Sequence, residues 1–419
     1  MIGIIHPDLG IAGGAERLVT DVAQSLVSCG YKMALYTTYH NKEHCFKETM
    51  HTAEWIRVSG GWIPRHFCGF LHIFFSNIRC AWATFFVVHV FVCDFLTTEQ
   101  VFLPVVLCKL FSRAQVIFYC HFPDKLLAAR QSLLKKIYRL PFDALEGFAM
   151  FLGDSIIVNS NFTQDAFKLA FRRWKQNPPI VLYPSMNIQA LDESVNIRYS
   201  KSQPFKGPSI TDDFSHAFFL SINRFERKKR LHCAIIAFHS LRIRLKASPR
   251  QGPLLILAGG YDGRIEENVT HFQELKRLTC MLNIEHEVLF LPSVSEEMKC
   301  FLMRHAVGLL YTPVNEHFGI TPLESMALSR PVIACNTGGP CETIVHGNTG
   351  YLVNGTPQAF VDSMHTLWKD RAKASMLGIE GKIRANALFS FDHFRTELDK
   401  IICTMSCLNR SSSRDQPRY

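Results

Sequence analysis

The 419-residue chain has fourteen cysteines but no Cys-x-x-Cys, no Asp-x-Asp, no arginine-rich block and no uninterrupted apolar run of membrane-spanning length. Each absence removes a class of protein. Without paired cysteine spacing there is no zinc ribbon, redox motif or disulfide frame. Cysteines such as Cys93 and Cys120 lie in apolar runs and read as reduced core thiols of a cytosol-facing protein. Without Asp-x-Asp there is no sequence sign of a bound metal, and fixed cations can take a divalent ion's place. With neither an arginine block nor an RNA-binding signature, the net charge of +10 points away from nucleic acid and toward anionic lipid or a phosphorylated substrate. The most apolar region, Phe67 to Leu96, is broken by Arg79 and Asp94, whereas a spanning helix needs roughly 20 consecutive apolar residues. A buried helix followed by a core strand over Phe86–Cys93 accounts for it equally well. No cleavable signal is legible at the start, where the chain opens on a short strand.

What is present describes a folded, multidomain α/β protein. Hydrophobic residues make up 47% and charged residues 20%, enough for two or three cored domains of this length. Strand-like runs recur at Ile2–Ile5, Met33–Thr37, Val116–Cys120, Ser155–Val158 and Ile180–Leu182, with helical stretches between them. Between residues 191 and 215 the periodicity fades into Ser, Pro, Gly and charge, as in an interdomain linker. Alternation then resumes at Ala217–Ile222, Leu254–Leu257, Val288–Leu291, Ala306–Leu310 and Pro331–Ala334. Such alternation predicts two parallel sheets covered by helices. The expected division is 1–190, a linker at 191–215, 216–385, and a C-terminal helix with a polar tail at 386–419.

Chemistry gathers where strands hand over to helices. Glu316 and Glu324 stand eight positions apart across Gly319, Thr321 and Pro322. Thr321 is placed to cap a helix that has Pro322 in its first turn, and the free N–H groups of that start suit an anion. A carboxylate on either side suits the hydroxyls of a nucleotide sugar; equally, Thr321 and Glu324 form the pattern of a capping box. The basic run Arg224 to Arg230 follows a strand, where it can neutralise a diphosphate or simply be a solvated turn. Gly13-Gly14 and Gly338-Gly339 are tight strand-to-helix turns of the kind that admits a phosphate. His121, at the end of another strand, reads as structural unless a ligand site surrounds it. From Lys125 to Leu140 leucines and basic residues alternate at helical spacing, which suits either an anionic lipid surface or packing on the protein's own core.

Taken together, these residues resemble the retaining glycosyltransferases of family 4. The match rests on Glu316 and Glu324, on Arg224 and Lys229 five apart, and on the Gly13-Gly14 turn, and it runs from Ile2 to about Phe394. His6-Pro7-Asp8-Leu9-Gly10, Gly-Gly-Ala-Glu-Arg-Leu from Gly13, Phe118 to Asp124, Ser221 to Lys229 and Ala258 to Asp262 narrow it to the α-1,3/1,6-mannosyltransferases of the dolichol pathway. That resemblance implies the GT-B fold, two Rossmann-like domains facing a central cleft. It implies GDP-mannose as donor, no protein-bound cofactor or metal, and a diphosphodolichol-linked oligosaccharide as acceptor. It further implies work on the cytosolic face of the endoplasmic reticulum membrane, with other mannosyltransferases of the pathway as partners. The implied catalytic residues are Glu316, Arg224, Lys229 and His121. The implied donor-binding residues are Gly13, Gly14, Gly319, Ile320, Thr321 and Glu324. Relatives carry an apolar C-terminal stretch, whereas this tail is polar, so attachment is expected through the N-terminal half. A family 4 enzyme with another acceptor, or a silent membrane scaffold, is the alternative.

Overall fold

The computed structural model describes residues 1–9, 13–41, 45–46, 48–49, 53–64, 72–90, 95–99, 101–127, 133–172, 178–186, 191, 217–246 and 252–412. Contacts divide the chain into two compact units, Met1–Ser185 with Phe391–Tyr419, and Met186–Ser390. The expected linker at 191–215 lies, beyond Leu191, outside the described residues.

The first unit holds strands β1 (Ile2–His6), β2 (Met33–Thr37), β3 (Ile56–Val58), β4 (Phe95–Glu99), β5 (Gln115–Cys120), β6 (Ser155–Val158) and β7 (Ile180–Val181). They form one parallel sheet in the order β3-β2-β1-β4-β5-β6-β7. Its helices are α1 (Gly14–Ser28), α2 (His72–Val90), α3 (Leu103–Phe111), α4 (Asp124–Leu127), α5 (Leu133–Leu152) and α6 (Asn161–Ala170). The sheet has a core on each face. One is built around Ile4, Leu18, Val22 and Leu35, the other around Ile5, Val105, Val116 and Phe167. Burial on both faces is why β1 and β5 read as continuous apolar runs rather than alternating ones.

The second unit holds β8 (Phe218–Ile222), β9 (Leu254–Gly259), β10 (Val288–Pro292), β11 (Gly308–Tyr311), β12 (Val332–Cys335) and β13 (Gly350–Val353), all parallel, in the order β10-β9-β8-β11-β12-β13. Its helices are α7 (Leu231–Leu245), α8 (Glu266–Met281), α9 (Glu296–His305), α10 (Ile320–Ala327), α11 (Pro340–Thr343), α12 (Pro357–Lys369) and α13 (Arg371–Phe389). Counted from β8, this is the doubly wound order 3-2-1-4-5-6, whose direction reverses between β8 and β11. Ligands in such sheets bind beyond the carboxyl ends of the strands at that reversal.

Three sequence expectations give way. Residues 86–90 of the expected strand Phe86–Cys93 belong to α2, and the strand of this region is Phe95–Glu99; residues 91–93 lie outside the described residues. Short apolar runs do not distinguish helix from strand, and here the run simply continues a helix begun at His72. The helix expected over Lys125–Leu140 is described as α4, Asp124–Leu127, and α5, which begins at Leu133 and runs on through Pro141 to Leu152; residues 128–132 lie outside the described residues. The expected C-terminal helix with a polar tail at 386–419 begins inside another helix, and residues 413–419 lie outside the described residues. α13 carries the second unit as far as Phe389, and α14 (Phe391–Ser412) returns to the first. Phe394, Leu398, Ile401, Ile402 and Met405 recur at helical spacing and pack into the core with Leu18, Val22 and Leu26 of α1. Tyr31 Oη donates to Asp399 Oδ1 across 2.7 Å at the edge of that contact.

Candidate active site

The loops after β8 and β11, the two strands at the reversal, carry the charged groups. After β8, Asn223 to Glu226 turn into a single 3-10 turn, Arg227–Lys229, closed by Arg230 in the left-handed conformation at φ 54°. That turn aims Lys229 inward, so its side chain keeps only 11% of its exposure while Lys228 keeps 65%. Thr312, just past β11, donates its hydroxyl to the Lys229 carbonyl across 2.6 Å and locks the turn to the neighbouring strand. Lys229 Nζ then reaches Glu316 Oε2 at 2.6 Å, a charge-assisted bond at the floor of the reversal.

Glu316 is held by its own loop. Gly339 N–H donates to the Glu316 carbonyl at 2.8 Å, and Asn315 N–H donates to Thr337 Oγ1 at 3.1 Å. Gly338, at φ +70°, makes this clamp possible, since a Cβ there would lie 2.3 Å from the Glu316 carbonyl oxygen. The loop ends at Gly319, φ +87°, which starts α10 where a side chain would press on the Tyr311 hydroxyl.

The helix start corrects one expectation. Gly319, not Thr321, is the cap of α10, with no side-chain cap bond, so Ile320, Thr321 and Pro322 are already helical. No Thr321–Glu324 capping box forms. Glu324 instead sits in the second turn, where Lys299 of α9 donates to its Oε1 at 2.9 Å. Burial works against the Lys299 ammonium, but Glu324 and Glu296 outweigh it and raise its pKa above the ordinary lysine value. Buried Tyr311, at the end of β11, has its pKa pushed well up by burial and then by the charges of Glu316 and Glu324, so its hydroxyl stays protonated.

Lys229, Glu316, Glu324, Gly319, Ile320 and Thr321 therefore come together in the second unit. Arg224 does not join the buried pair: its side chain is 60% exposed and bonds Glu226 at 2.9 Å. Sequence reading missed Lys299 and Tyr311. Lys299 shows only as a basic residue in the first turn of a helix capped by Ser295, and Tyr311 only as the last residue of a strand.

In the first unit, Gly13 is the extended N-cap of α1, and a Cβ on Gly14 would meet nothing within 4 Å. His121 follows β5 and packs its ring 5.1 Å from Tyr119. It lines a cavity of about 340 Å³ together with Asn77, Asp124, Arg139 and Glu146. Glu146 caps α4 from a distance, accepting the N–H groups of Asp124 and Lys125 at 2.8 and 3.0 Å. Burial outweighs those bonds and pushes its pKa up to about 7. The polar residues of the His6-to-Arg17 segment are tied into the fold: His6 approaches Glu16, Asp8 pairs with Arg79, and Arg17 pairs with Asp21 and Glu48. Among the described residues, no group of three or more His, Cys, Asp or Glu could hold a metal ion.

Residues 12–185 match Glycosyltransferase Family 4 and residues 210–384 match Glycosyl transferases group 1. Among solved structures, the chain superposes on a sucrose-phosphate synthase from Thermosynechococcus elongatus with a TM-score of 0.73 at 19% identity, covering 97% of this chain and 99% of that one. It superposes on HepE of Anabaena, solved in complex with UDP, with a TM-score of 0.71 at 17% identity over 96% and 99% of the two chains. These likenesses show the GT-B glycosyltransferase fold. The chain is 42% identical to the alpha-1,3/1,6-mannosyltransferase ALG2 of Dictyostelium discoideum over 96% of its own length and 97% of the relative's. It is 37% identical to the enzyme of the same name from Homo sapiens over 95% and 94%. With two parallel sheets, a charged pair at the reversal of the second and relatives matched end to end, the chain belongs to the family of α-1,3/1,6-mannosyltransferases.

Proposed function

We propose that this mannosyltransferase takes its sugar from GDP-mannose and places it on Man1GlcNAc2-diphosphodolichol, first in α-1,3 and then in α-1,6 linkage. The observation that carries the donor side is the Lys229–Glu316 pair beyond β8 and β11, with Glu324 one helix turn further on. Two of the three Lys229 ammonium protons point elsewhere than Glu316 and serve the diphosphate. As the bond between mannose C1 and the phosphate oxygen breaks, charge grows on GDP, and a fixed, largely desolvated ammonium stabilises it with little reorganisation. Arg224, exposed and paired with Glu226, adds to that field from the mouth of the site. Backbone N–H groups at Gly319, Ile320 and Thr321 face the same anion from the start of α10.

Glu316, oriented by Lys229, accepts hydrogen bonds from mannose hydroxyls. Glu324 offers its second carboxylate oxygen to the ribose while Lys299 holds the first. On the first unit, His121 and the Gly13-Gly14 helix start keep the roles the family resemblance implies. As the acceptor oxygen joins C1, its proton passes to the departing diphosphate, and the products are GDP and the extended lipid-linked chain. Association with the endoplasmic reticulum membrane, on its cytosolic side, follows from such an acceptor. Among the described residues no helix is long and apolar enough to cross a membrane.

The test is incubation of the purified chain with labelled GDP-mannose and a Man1GlcNAc2-diphospholipid in detergent. Products one and two mannoses larger are expected, with GDP-mannose but not UDP- or ADP-sugars as donor, and with activity retained in a chelator. No product beside a working control enzyme would overturn the acceptor assignment. Loss of transfer in chelator with recovery on adding a divalent ion would overturn metal independence.

A further inference from the structure

The family carries out both α-1,3 and α-1,6 transfer. With donor binding assigned to Lys229, Glu316 and Glu324, both linkages are made at the same place. The acceptor of the second transfer carries one mannose more than that of the first. That mannose needs a place where its hydroxyl groups are satisfied. The cavity of about 340 Å³ in the first unit, beyond the carboxyl end of β5 and with His121 in its wall, offers one. It is far larger than the roughly 30 Å³ of a water and falls in the range of about 300–1,000 Å³ typical of small-ligand sites.

The lining identifies the occupant. Arg139, Asp143 and Glu146 stand at i, i+4 and i+7 on α5, so one face of the helix carries all three. Arg139 Nη2 donates to Asp124 Oδ2 at 2.6 Å and to Asp143 Oδ1 at 3.1 Å. Glu146, only 4% exposed, holds the first N–H groups of α4 with both of its oxygens. The polar wall is thus fixed before a ligand arrives. Among the described residues the buried Arg139 Nε–H has no hydrogen-bond partner, which leaves a donor for a ligand. The carboxyl oxygens keep lone pairs for hydroxyl groups. One guanidinium beside three carboxyl groups repels a diphosphate but suits a neutral polyol. Phe102 and Phe118, both buried, add apolar surface for the C–H face of a pyranose. We propose that this cavity receives the mannose added in the first transfer and so presents the acceptor for the second. The proposal rests on the two-step reading of the reaction, and concerns Asp124, Arg139 and Glu146, to which that reading gives no part.

The experiment offers the full chain Man1GlcNAc2-diphospholipid or Man2GlcNAc2-diphospholipid, the latter bearing the α-1,3 mannose, with GDP-mannose in detergent. The ratio of kcat/KM on the second acceptor to kcat/KM on the first is the readout. Ser76→Phe places a ring in the cavity from α2, where half-buried Ser76 lines it. Arg139→Lys keeps the charge but removes the Nε–H and the planar fork. Each variant is expected to lower the ratio about tenfold or more, so that the product of the first transfer accumulates. A general loosening of the fold would lower both values together and leave the ratio as it was. A native-like ratio in either variant, whether both rates fall or neither does, would overturn the proposal. So would a native chain that extends the first acceptor but not the second. A native chain that extends neither fails the acceptor assignment and this proposal with it, whereas a native-like ratio fails this proposal alone.

Discussion

Lys229 Nζ lies 2.6 Å from Glu316 Oε2 although 87 positions separate them in the chain. The contact exists because β8 and β11 are neighbours in the sheet and each releases its loop on the same side of the reversal. A lysine largely withdrawn from water, with one carboxylate to hold it, is already in the arrangement that a leaving diphosphate needs. Lys229→Ala is therefore expected to lower kcat by about 10²–10³ with a smaller change in donor KM. Arg224→Ala, at an exposed position, should lose less and mainly in KM. Steady-state kinetics with GDP-mannose reads both, and near-normal turnover in Lys229→Ala removes it from the mechanism.

Lys299 touches Glu324 but belongs to a helix that only structure brings there. Lys299→Met takes away the group that orients the carboxylate in both the ground and the transition state. Donor KM should rise about tenfold with kcat little changed, the pattern of lost uniform binding. An equal fall in kcat instead would place Lys299 in the chemical step.

The capping correction has a cheap test. Removing a working Ser or Thr cap costs about 0.5–2 kcal/mol. Because α10 begins at Gly319 without a side-chain cap, Thr321→Ala should change stability by less than about 0.5 kcal/mol in urea unfolding. A larger loss would restore the capping-box reading.

Gly338 is expected to be intolerant. Gly338→Ala forces a Cβ toward the Glu316 carbonyl in a left-handed conformation, so a stability loss of about 1–3 kcal/mol should accompany a fall in activity. Differential scanning calorimetry beside an activity assay measures both. Gly14→Ala, with open space and a helical position, should show no stability loss of that kind.

Glu146 predicts a pH signature. Its folded pKa, near 7, stands above the unfolded value near 4.5, so the folded state binds the extra proton. The native chain should therefore lose stability as pH rises from about 4.5 to 7, by up to about 3 kcal/mol from this group, and then level off. Glu146→Gln should flatten that slope in pH-dependent chemical denaturation. A parallel slope in the variant would assign the dependence to other groups.

Much of the fold was legible because parallel strands buried on both faces leave continuous apolar runs. Met33–Thr37 and Ser155–Val158 appear in the structure with the bounds their residues suggest. The edge strands Ile56–Val58 and Gly350–Val353 were not legible, being short and partly exposed. The apolar run at 86–90 was misread because a helix and a strand can both be continuous apolar segments. On α5 the apolar spacing was visible, but whether it faced a core or solvent was not. Sequence spacing fixes which residues share a face, not which face is covered.

By itself the sequence determined the α/β alternation, the family and the residue types at strand ends, since each depends on local pattern and on motifs a few residues long. Tertiary structure alone decided that Lys229 pairs with Glu316, that Lys299 holds Glu324, that Gly319 rather than Thr321 starts α10, and that α14 returns to the first unit. These are contacts across sheet neighbours or between helices distant in the chain. Their physical cause is strand order and packing, which no local periodicity encodes.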